Sequence, residues 1–482
     1  MRIFLINWDN GNKDFVDVAL ELEKRGHEIV YWVGTKRQNF EINKQEFPKG
    51  IFHHYQDAGL AIPPKEFEEM DFEPPGGDFI RQFYETESTV LSIFRKFQRQ
   101  KMSVMEMKHI YYRYLQYWYG VIQKLKPDII IFELWPHGGY DFVIYSLAKF
   151  LRIKTLMFDF TRISDRLLLI NDFIIGSPAL RKEIEKNQDK QFTVEDLNPD
   201  IQESYKKQTK NGIGAVPSDL KMILKKYSGK SLLFIKLKMI LKSIFDFSIF
   251  KKTFCYISKK FQPNLKKEYN KLQMAPDFNK KFIYTAFQFQ PEASTSVLGG
   301  VFIDQILMVK ILSASVPDDW LIYVKENPCQ WLPEGTMFTP FRYRSYYETI
   351  AKLKNVRLVP VETSTFGLIE KSQAVATVTG TVGWEAVLRS KPALVFGYAW
   401  YRDCPGVFKV NNVKSCKETI ENIKNNFIIN EQDIINYLYS LDKVSCCGYF
   451  GECFKKQPNV RGAELTKSLL SVLVKEIEGG SF

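Results

Sequence analysis

The chain is 482 residues long, about three times the ~150 residues of a typical single domain, so a single core is excluded and two or three domains are expected. Hydrophobic residues at 45% and charged residues at 25% exclude wholesale disorder, a collagen-like fibre and a multi-spanning membrane protein. The formal net charge of +12 leaves nucleic acid, an anionic membrane or an anionic substrate as partners until its location along the chain is known.

In chain order, Ile3 to Asn7 is an apolar run broken at once by Trp8, Asp9 and Asn10. It is too short for a signal peptide and predicts a first buried strand. Helical spacing over Phe15 to Leu22 ends at Arg25-Gly26, and Glu28 to Val33 predicts the next strand. This β-turn-α-Gly-β unit opens a doubly wound α/β domain with the loop at Trp8 to Lys13 on the ligand side of its sheet. An aromatic-rich helical stretch runs from about Phe79 to Leu125. Lys126 to Phe132 then predicts a buried parallel strand entering the polar loop Glu133 to Gly139, followed by a helix at Asp141 to Leu151 and a strand at Lys154 to Phe158.

The charge excess is local. Between Tyr205 and Gln262 fourteen lysines face only Asp219 and Asp246, an excess equal to the +12 of the whole chain. Leu232, Leu233, Ile235, Met239, Ile240, Ile244, Phe245 and Phe250 alternate with those lysines at roughly helical spacing. The segment predicts an inserted amphipathic helix suited to an anionic membrane surface, and an ordinary inter-domain helix stays open. It is aliphatic and lacks Arg, which argues against nucleic acid. Strands are next expected at Lys281 to Tyr284, Trp320 to Val324, Val356 to Val359, Ala374 to Val378 and Ala393 to Phe396. The simplest organisation is two Rossmann-like domains facing a cleft: 1–204, a basic segment and linker at 205–275, a second α/β domain at 276–440, and a helical tail at 441–482.

No window approaches the ~18 uninterrupted apolar residues of a transmembrane helix. Seven cysteines, an odd number spread from Cys255 to Cys453, fit a reduced cytosolic protein, and Cys446, Cys447 and Cys453, with no His nearby, read as buried or incidental thiols before a metal site.

Three stretches of the second domain could carry chemistry. Thr377 to Leu388 passes from a strand through hydroxyls and glycines straight into a helix, where Thr379 and Thr381 would donate to a phosphate and Gly380 and Gly383 would let the backbone come close; a plain N-cap with a tight turn fits the same residues. Tyr323 to Pro328 is a strand running into a polar turn, where Lys325 would neutralise a phosphate and Asn327 would hydrogen-bond to a leaving oxygen or a base, or the turn is merely solvated. Phe287 to Ser296 is dense in amide, hydroxyl and carboxylate groups at the edge of a first strand, or is a linker. In the first domain Glu133, His137 and Asp9 follow buried strands and are candidate general bases, or caps of loops and helices. The chain has no Asp-x-Asp triplet, Walker-type phosphate loop, Gly-x-Gly-x-x-Gly or His-Glu-x-x-His.

Gln290 to Ser296, Val324 to Pro328, Thr377 to Ala386 and Phe396 to Tyr401 resemble the capsule polysaccharide biosynthesis family of bacterial surface-carbohydrate proteins, which includes two-domain transferases of Kdo or related sugars. The resemblance covers mainly 280–410, and more weakly 126–172. It implies a GT-B fold and a metal-independent glycosyltransferase without a cofactor, whose nucleotide-sugar donor lies mostly on the second domain, against Gln290, Glu292, Ser294, Lys325, Asn327, Pro328, Thr379, Gly380, Thr381, Gly383 and Glu385. Relatives using CMP-sugars carry a His-Pro pair that contacts the donor phosphate and a downstream Ser/Thr pair. The latter maps onto Thr379 and Thr381, but the former onto Asn327-Pro328, a departure that removes an acid and a charge. The expected partners are a nucleotide-sugar, a surface polysaccharide or lipid-linked acceptor and the inner face of the plasma membrane through 205–262. A carbohydrate-binding protein that lost its chemistry and a GT-B epimerase are the alternatives.

Overall fold

In a computed structural model of the protein, residues 1–34, 42–96, 102–209, 237, 264–290, 292–331, 341–425, 427–448 and 462–479 are described. The first domain is built on a seven-stranded sheet in the order β13-β6-β5-β4-β1-β2-β3. Its strands are β1 (Arg2–Ile6), β2 (Glu28–Gly34), β3 (Ile51–His54), β4 (Ile129–Phe132), β5 (Lys154–Phe160), β6 (Arg166–Ile170) and β13 (Ser445–Cys447). β1 lies parallel between β2 and β4, and Ile3, Phe4, Leu5 and Ile6 are all buried, as a central strand covered on both faces requires. The helix Lys13–Lys24 begins where Asn12 Oδ1 accepts from Asp14 N (3.2 Å) and ends before Gly26, whose φ of +83° suits glycine. The aromatic stretch contains the helices Tyr84–Lys96 and Val104–Leu125, the second opened by a capping box between Ser103 and Glu106.

The second domain carries a six-stranded, fully parallel sheet in the order β12-β11-β10-β7-β8-β9. These strands are β7 (Phe282–Ala286), β8 (Leu321–Lys325), β9 (Val356–Leu358), β10 (Ala374–Thr377), β11 (Ala393–Val395) and β12 (Val407–Lys409). Two doubly wound domains of this kind are the GT-B architecture. All five strands expected for this domain are present, and β12 is an addition.

The tail does not stand apart. β13 pairs antiparallel with β6, and Leu465, Leu469, Leu473 and Ile477 of the helix Ala463–Glu478 pack with Phe15, Val18 and Leu22 of Lys13–Lys24. The chain thus returns to complete the first domain. One apolar cluster runs through both domains, joining Ile144 and Phe173 to Trp384, Tyr401 and Tyr437. Trp384 Nε1 donates to Gln208 Oε1 (2.7 Å), and Arg181 Nη1 lies 3.2 Å from Asp403 Oδ2. Of the basic segment expected over 205–262, residues 205–209 end the helix Pro199–Thr209 and Leu237 is exposed; the rest, including Lys236, Lys238 and Lys242, lies outside the described residues. Among the described residues no helix is long and apolar enough to cross a membrane.

Candidate functional site

In parallel sheets ligands gather outside the carboxyl ends of the strands, which here bring together the segments after β7, β8, β10 and β11 in one domain and after β1, β4 and β5 in the other. Thr379 follows β10 and is half-buried. Its Oγ1 accepts from Gln288 Nε2 (2.8 Å) and its backbone N donates to Gln288 Oε1 (3.3 Å). The backbone N of Gly380 donates to Thr377 Oγ1 (3.2 Å). The Thr379 and Gly380 amides are therefore committed within the protein. Thr381 opens the seven-residue helix Thr381–Val387 and is half-buried.

The expected role of Gly383 changes as well. A Cβ there would lie 2.3 Å from Tyr401 Oη, so this glycine makes room for a buried tyrosine, not for a ligand. Tyr401 in turn donates to the Gly380 carbonyl (2.5 Å), bracing the loop from behind. Glu385, one helical turn on, is half-buried, and burial pushes its carboxyl up to about 7 against the pull of Arg389.

Lys325, at the end of β8, is only 7% exposed. Its Nζ donates to the Thr363 carbonyl (2.5 Å) and Thr365 Oγ1 (2.9 Å), so it pins a neighbouring turn instead of reaching into the cleft as expected. Burial lowers its ammonium to about 8, with Glu362 opposing. Asn327 Oδ1 accepts from Cys329 N (2.9 Å), an Asx-turn that starts the short helix Pro328–Trp331, with Pro328 exposed.

Beneath these loops lies a buried polar network that the sequence does not reveal. Gln290, expected at the donor, is 1% exposed; its Nε2 donates to the Ile303 carbonyl (2.9 Å), and its Oε1 accepts from Gln305 Nε2 (2.9 Å) and Arg342 Nη1 (2.5 Å). It is a structural node, because every polar atom of its side chain is used inside the protein. Glu292 is the N-cap residue of the helix Ala293–Leu298 and accepts from the Thr295 hydroxyl, and Ser294 is half-buried on that helix.

In the first domain Asp9 Oδ1 accepts from Gly11 N (2.8 Å) in a loop turn. Glu133 is half-buried beyond β4, and His137 Nδ1 lies 3.0 Å from the Trp135 carbonyl. The residue that builds this loop is Asp141, fully buried, which accepts from Asn7 Nδ2 (2.9 Å), His137 N (3.0 Å) and Gly138 N (2.7 Å).

The sequence reading also passed over Asp159, at the carboxyl end of β5. It lines a cavity of about 10 Å³ together with Gly176 and Ser177 of its own domain and Ala399, Trp400, Arg402 and Asp403 of the second. Burial pushes the Asp159 carboxyl up to about 7, while Arg402 pulls it down. Arg402 is 7% exposed and its Nη1 has no hydrogen-bond partner. An acid that titrates near neutrality where two domains meet suits proton transfer. The only sequence signal for it is an aspartate closing the apolar run Leu156 to Phe158. Among the described residues no three His, Cys, Asp or Glu side chains are grouped to hold a metal ion.

Residues 302–431 match the model of a family described as capsule polysaccharide biosynthesis protein. No curated protein matches the chain. Among solved structures, a β-Kdo 2,7 transferase, KpsC of Thermosulfurimonas dismutans, is 12% identical over 74% of this chain and 88% of its own, with a TM-score of 0.32. The β-Kdo 2,4 transferase of the same protein is 12% identical over 65% of this chain and 87% of its own, with a TM-score of 0.28. The UDP-GlcNAc 2-epimerase of Neisseria meningitidis, solved with UDP-GlcNAc, is 11% identical over 100% of both chains, with a TM-score of 0.25. These superpositions are loose, and the fold rests on the chain's own two sheets.

Proposed function

We propose, for a chain whose residues 302–431 match the capsule polysaccharide biosynthesis family, a glycosyltransferase that moves a sugar from a nucleotide-sugar to a surface polysaccharide or lipid-linked acceptor. The observation that carries this reading is Asp159: a carboxyl poised near neutrality on the first domain, in a crevice whose far wall is Trp400 and Arg402 of the second. As the acceptor oxygen bonds to the anomeric carbon and the bond to the donor phosphate breaks, Asp159 takes the hydroxyl proton through the one water its cavity has room for. Glu133, His137 and Asp9 are the other candidates for this role. The departing phosphate is met by the Thr379 and Thr381 hydroxyls, with Lys325 as a cation held one layer behind through Thr365. Neither a metal nor a cofactor enters this scheme, and the lysines of 205–262 hold the enzyme at the anionic inner face of the membrane.

The test is to incubate the purified chain with CMP-, UDP- and GDP-sugars and follow free nucleotide, comparing Asp159→Asn. Turnover that falls at least a hundredfold in the variant supports the reading; no turnover and no nucleotide binding with any donor overturns it. The Asx-turn at Asn327, where CMP-sugar relatives carry an acid, favours a non-catalytic carbohydrate-binding protein as the second reading, which predicts glycan binding without turnover. Interconversion of a UDP-sugar without acceptor would identify an epimerase.

A further inference from the structure

The geometry points to Gln288 as a positioning residue that turns the Thr379 hydroxyl into a hydrogen-bond donor toward the phosphate of a bound nucleotide. This rests on the reading of Thr379 as a donor-binding residue. Gln288 lies two residues beyond β7 and is 9% exposed. Its backbone is fixed at both ends: N donates to Gln305 Oε1 (2.8 Å), and O accepts from Gln305 Nε2 (3.0 Å) and Arg342 Nη2 (3.2 Å). From this held backbone the side chain crosses to the loop after β10.

The orientation of the Gln288 amide follows from what it meets. A backbone N–H can only donate, so the atom facing Thr379 N at 3.3 Å must be the amide oxygen. Thr295 Oγ1 also lies 3.3 Å from that oxygen, but its single proton is already given to the Glu292 carboxylate, so the assignment rests on Thr379 N. The atom facing Thr379 Oγ1 at 2.8 Å is then the NH₂ group, which can only donate. Thr379 Oγ1 therefore spends a lone pair on Gln288, and its own proton must point elsewhere. With its backbone N–H also held by Gln288, the one donor Thr379 has left to offer is its hydroxyl proton, at the carboxyl edge of the sheet. That is the polarity a phosphate oxygen requires and the opposite of what a donor ligand group would need.

The test measures dissociation constants of the purified full chain for cytidine and CMP, uridine and UDP, and guanosine and GDP, so that the ratio within each pair isolates the phosphate. Thr379→Val, nearly isosteric, should lower that ratio about tenfold, and Gln288→Met about three- to tenfold, with nucleoside affinity unchanged in both. In the Thr379→Val background Gln288→Met should change the ratio less than twofold, whereas in Thr379→Ser, which keeps the hydroxyl, its full effect should remain. If Gln288→Met does not fold, Gln288→Asn, too short to reach the loop, takes its place in the same cycle. Additive effects, or equal losses for nucleoside and nucleotide, would overturn the positioning role while leaving the nucleotide site standing. Wild-type protein that binds no nucleotide would overturn that site and the inference with it.

Discussion

Arg342 Nε lies 2.8 Å from Glu326 Oε2, with the two side chains only 2% and 0% exposed. The pair joins the two loops that frame the proposed donor site. Arg342 also donates to the Gln288 carbonyl and the Gln290 side chain, while Glu326 accepts from the Tyr347 hydroxyl (2.6 Å) and Asn327 N (2.8 Å). The Arg342 guanidinium also stacks over Tyr346, 4.7 Å from the ring centroid. A charge this deep is tolerated because its partner and its remaining donors are all satisfied.

Removing Arg342 leaves the buried Glu326 carboxylate with no countercharge, held only by the Tyr347 hydroxyl and Asn327 N. Arg342→Met should destabilise the second domain by about 3–5 kcal/mol in urea unfolding. The double variant Glu326→Gln with Arg342→Met should lose less than the single one, because no bare carboxylate is left behind. A double variant less stable than Arg342→Met would show that the packing of Arg342, not its charge, is what matters.

Asp159 makes a pH prediction whose sign can be worked out. Its carboxyl titrates at about 7 in the folded chain, above the usual carboxylate range. Between about pH 4 and pH 7 the folded protein holds a proton that the unfolded chain has lost, so stability falls as pH rises through that window. Asp159→Asn should flatten this fall. If Asp159 is the base, kcat rises as pH passes 7, and Arg402→Ala, which removes the cation that pulls the carboxyl down, should move the inflection to higher pH. A pH profile unmoved by Arg402→Ala would separate the two residues.

Much of this fold can be read in the sequence because apolar runs between turn residues are a one-dimensional property. The runs at Ile3 to Ile6, Ile129 to Phe132 and Ala374 to Thr377 became central strands. Short edge strands such as β3 and β12 carry too little pattern to stand out. The return of the tail to β6 is a long-range pairing that no local signal encodes. At the site, Thr379 sits at the strand end where expected, but Gln290 and Lys325 turned inward, since a polar residue next to a loop reads the same whether it faces a ligand or a buried carbonyl. Gly383 likewise reads as an approach glycine until the tyrosine eighteen positions on is seen against it.

Tyr401 and Gly383 give a direct test of that correction. An added methyl at Gly383 would meet Tyr401 Oη at 2.3 Å and Cζ at 3.0 Å, and Tyr401 cannot retreat because it is fully buried. Gly383→Ala should therefore cost about 1–3 kcal/mol of stability, the range for overpacking a filled core. It should also weaken nucleotide binding, because displacing Tyr401 frees the Gly380 carbonyl it holds. Adding Tyr401→Phe removes the clashing oxygen and should recover part of the stability but not the loop contact. Full recovery of nucleotide affinity in that double variant would mean that the bracing of Gly380 is dispensable.

The lysine-rich segment bears on where the reaction takes place. The fourteen lysines and two aspartates of 205–262 together equal the whole net charge of the chain, and each basic residue near an anionic bilayer contributes about 1 kcal/mol. Lys236, Lys238 and Lys242 are interleaved with Leu237, Met239, Ile240 and Leu241, so a helix there would present both an apolar and a cationic face. Replacing the three lysines with Glu should lower partitioning onto vesicles containing phosphatidylserine about a hundredfold or more, with little change on neutral vesicles. Binding of soluble nucleotides should be intact, since every residue placed at the donor lies after position 280. Wild-type binding to the anionic vesicles should also weaken with added salt, as exposed charge pairs do. Vesicle binding that survives both the substitutions and the salt would assign the segment to joining the two domains, with the lipid-linked acceptor reached by another surface.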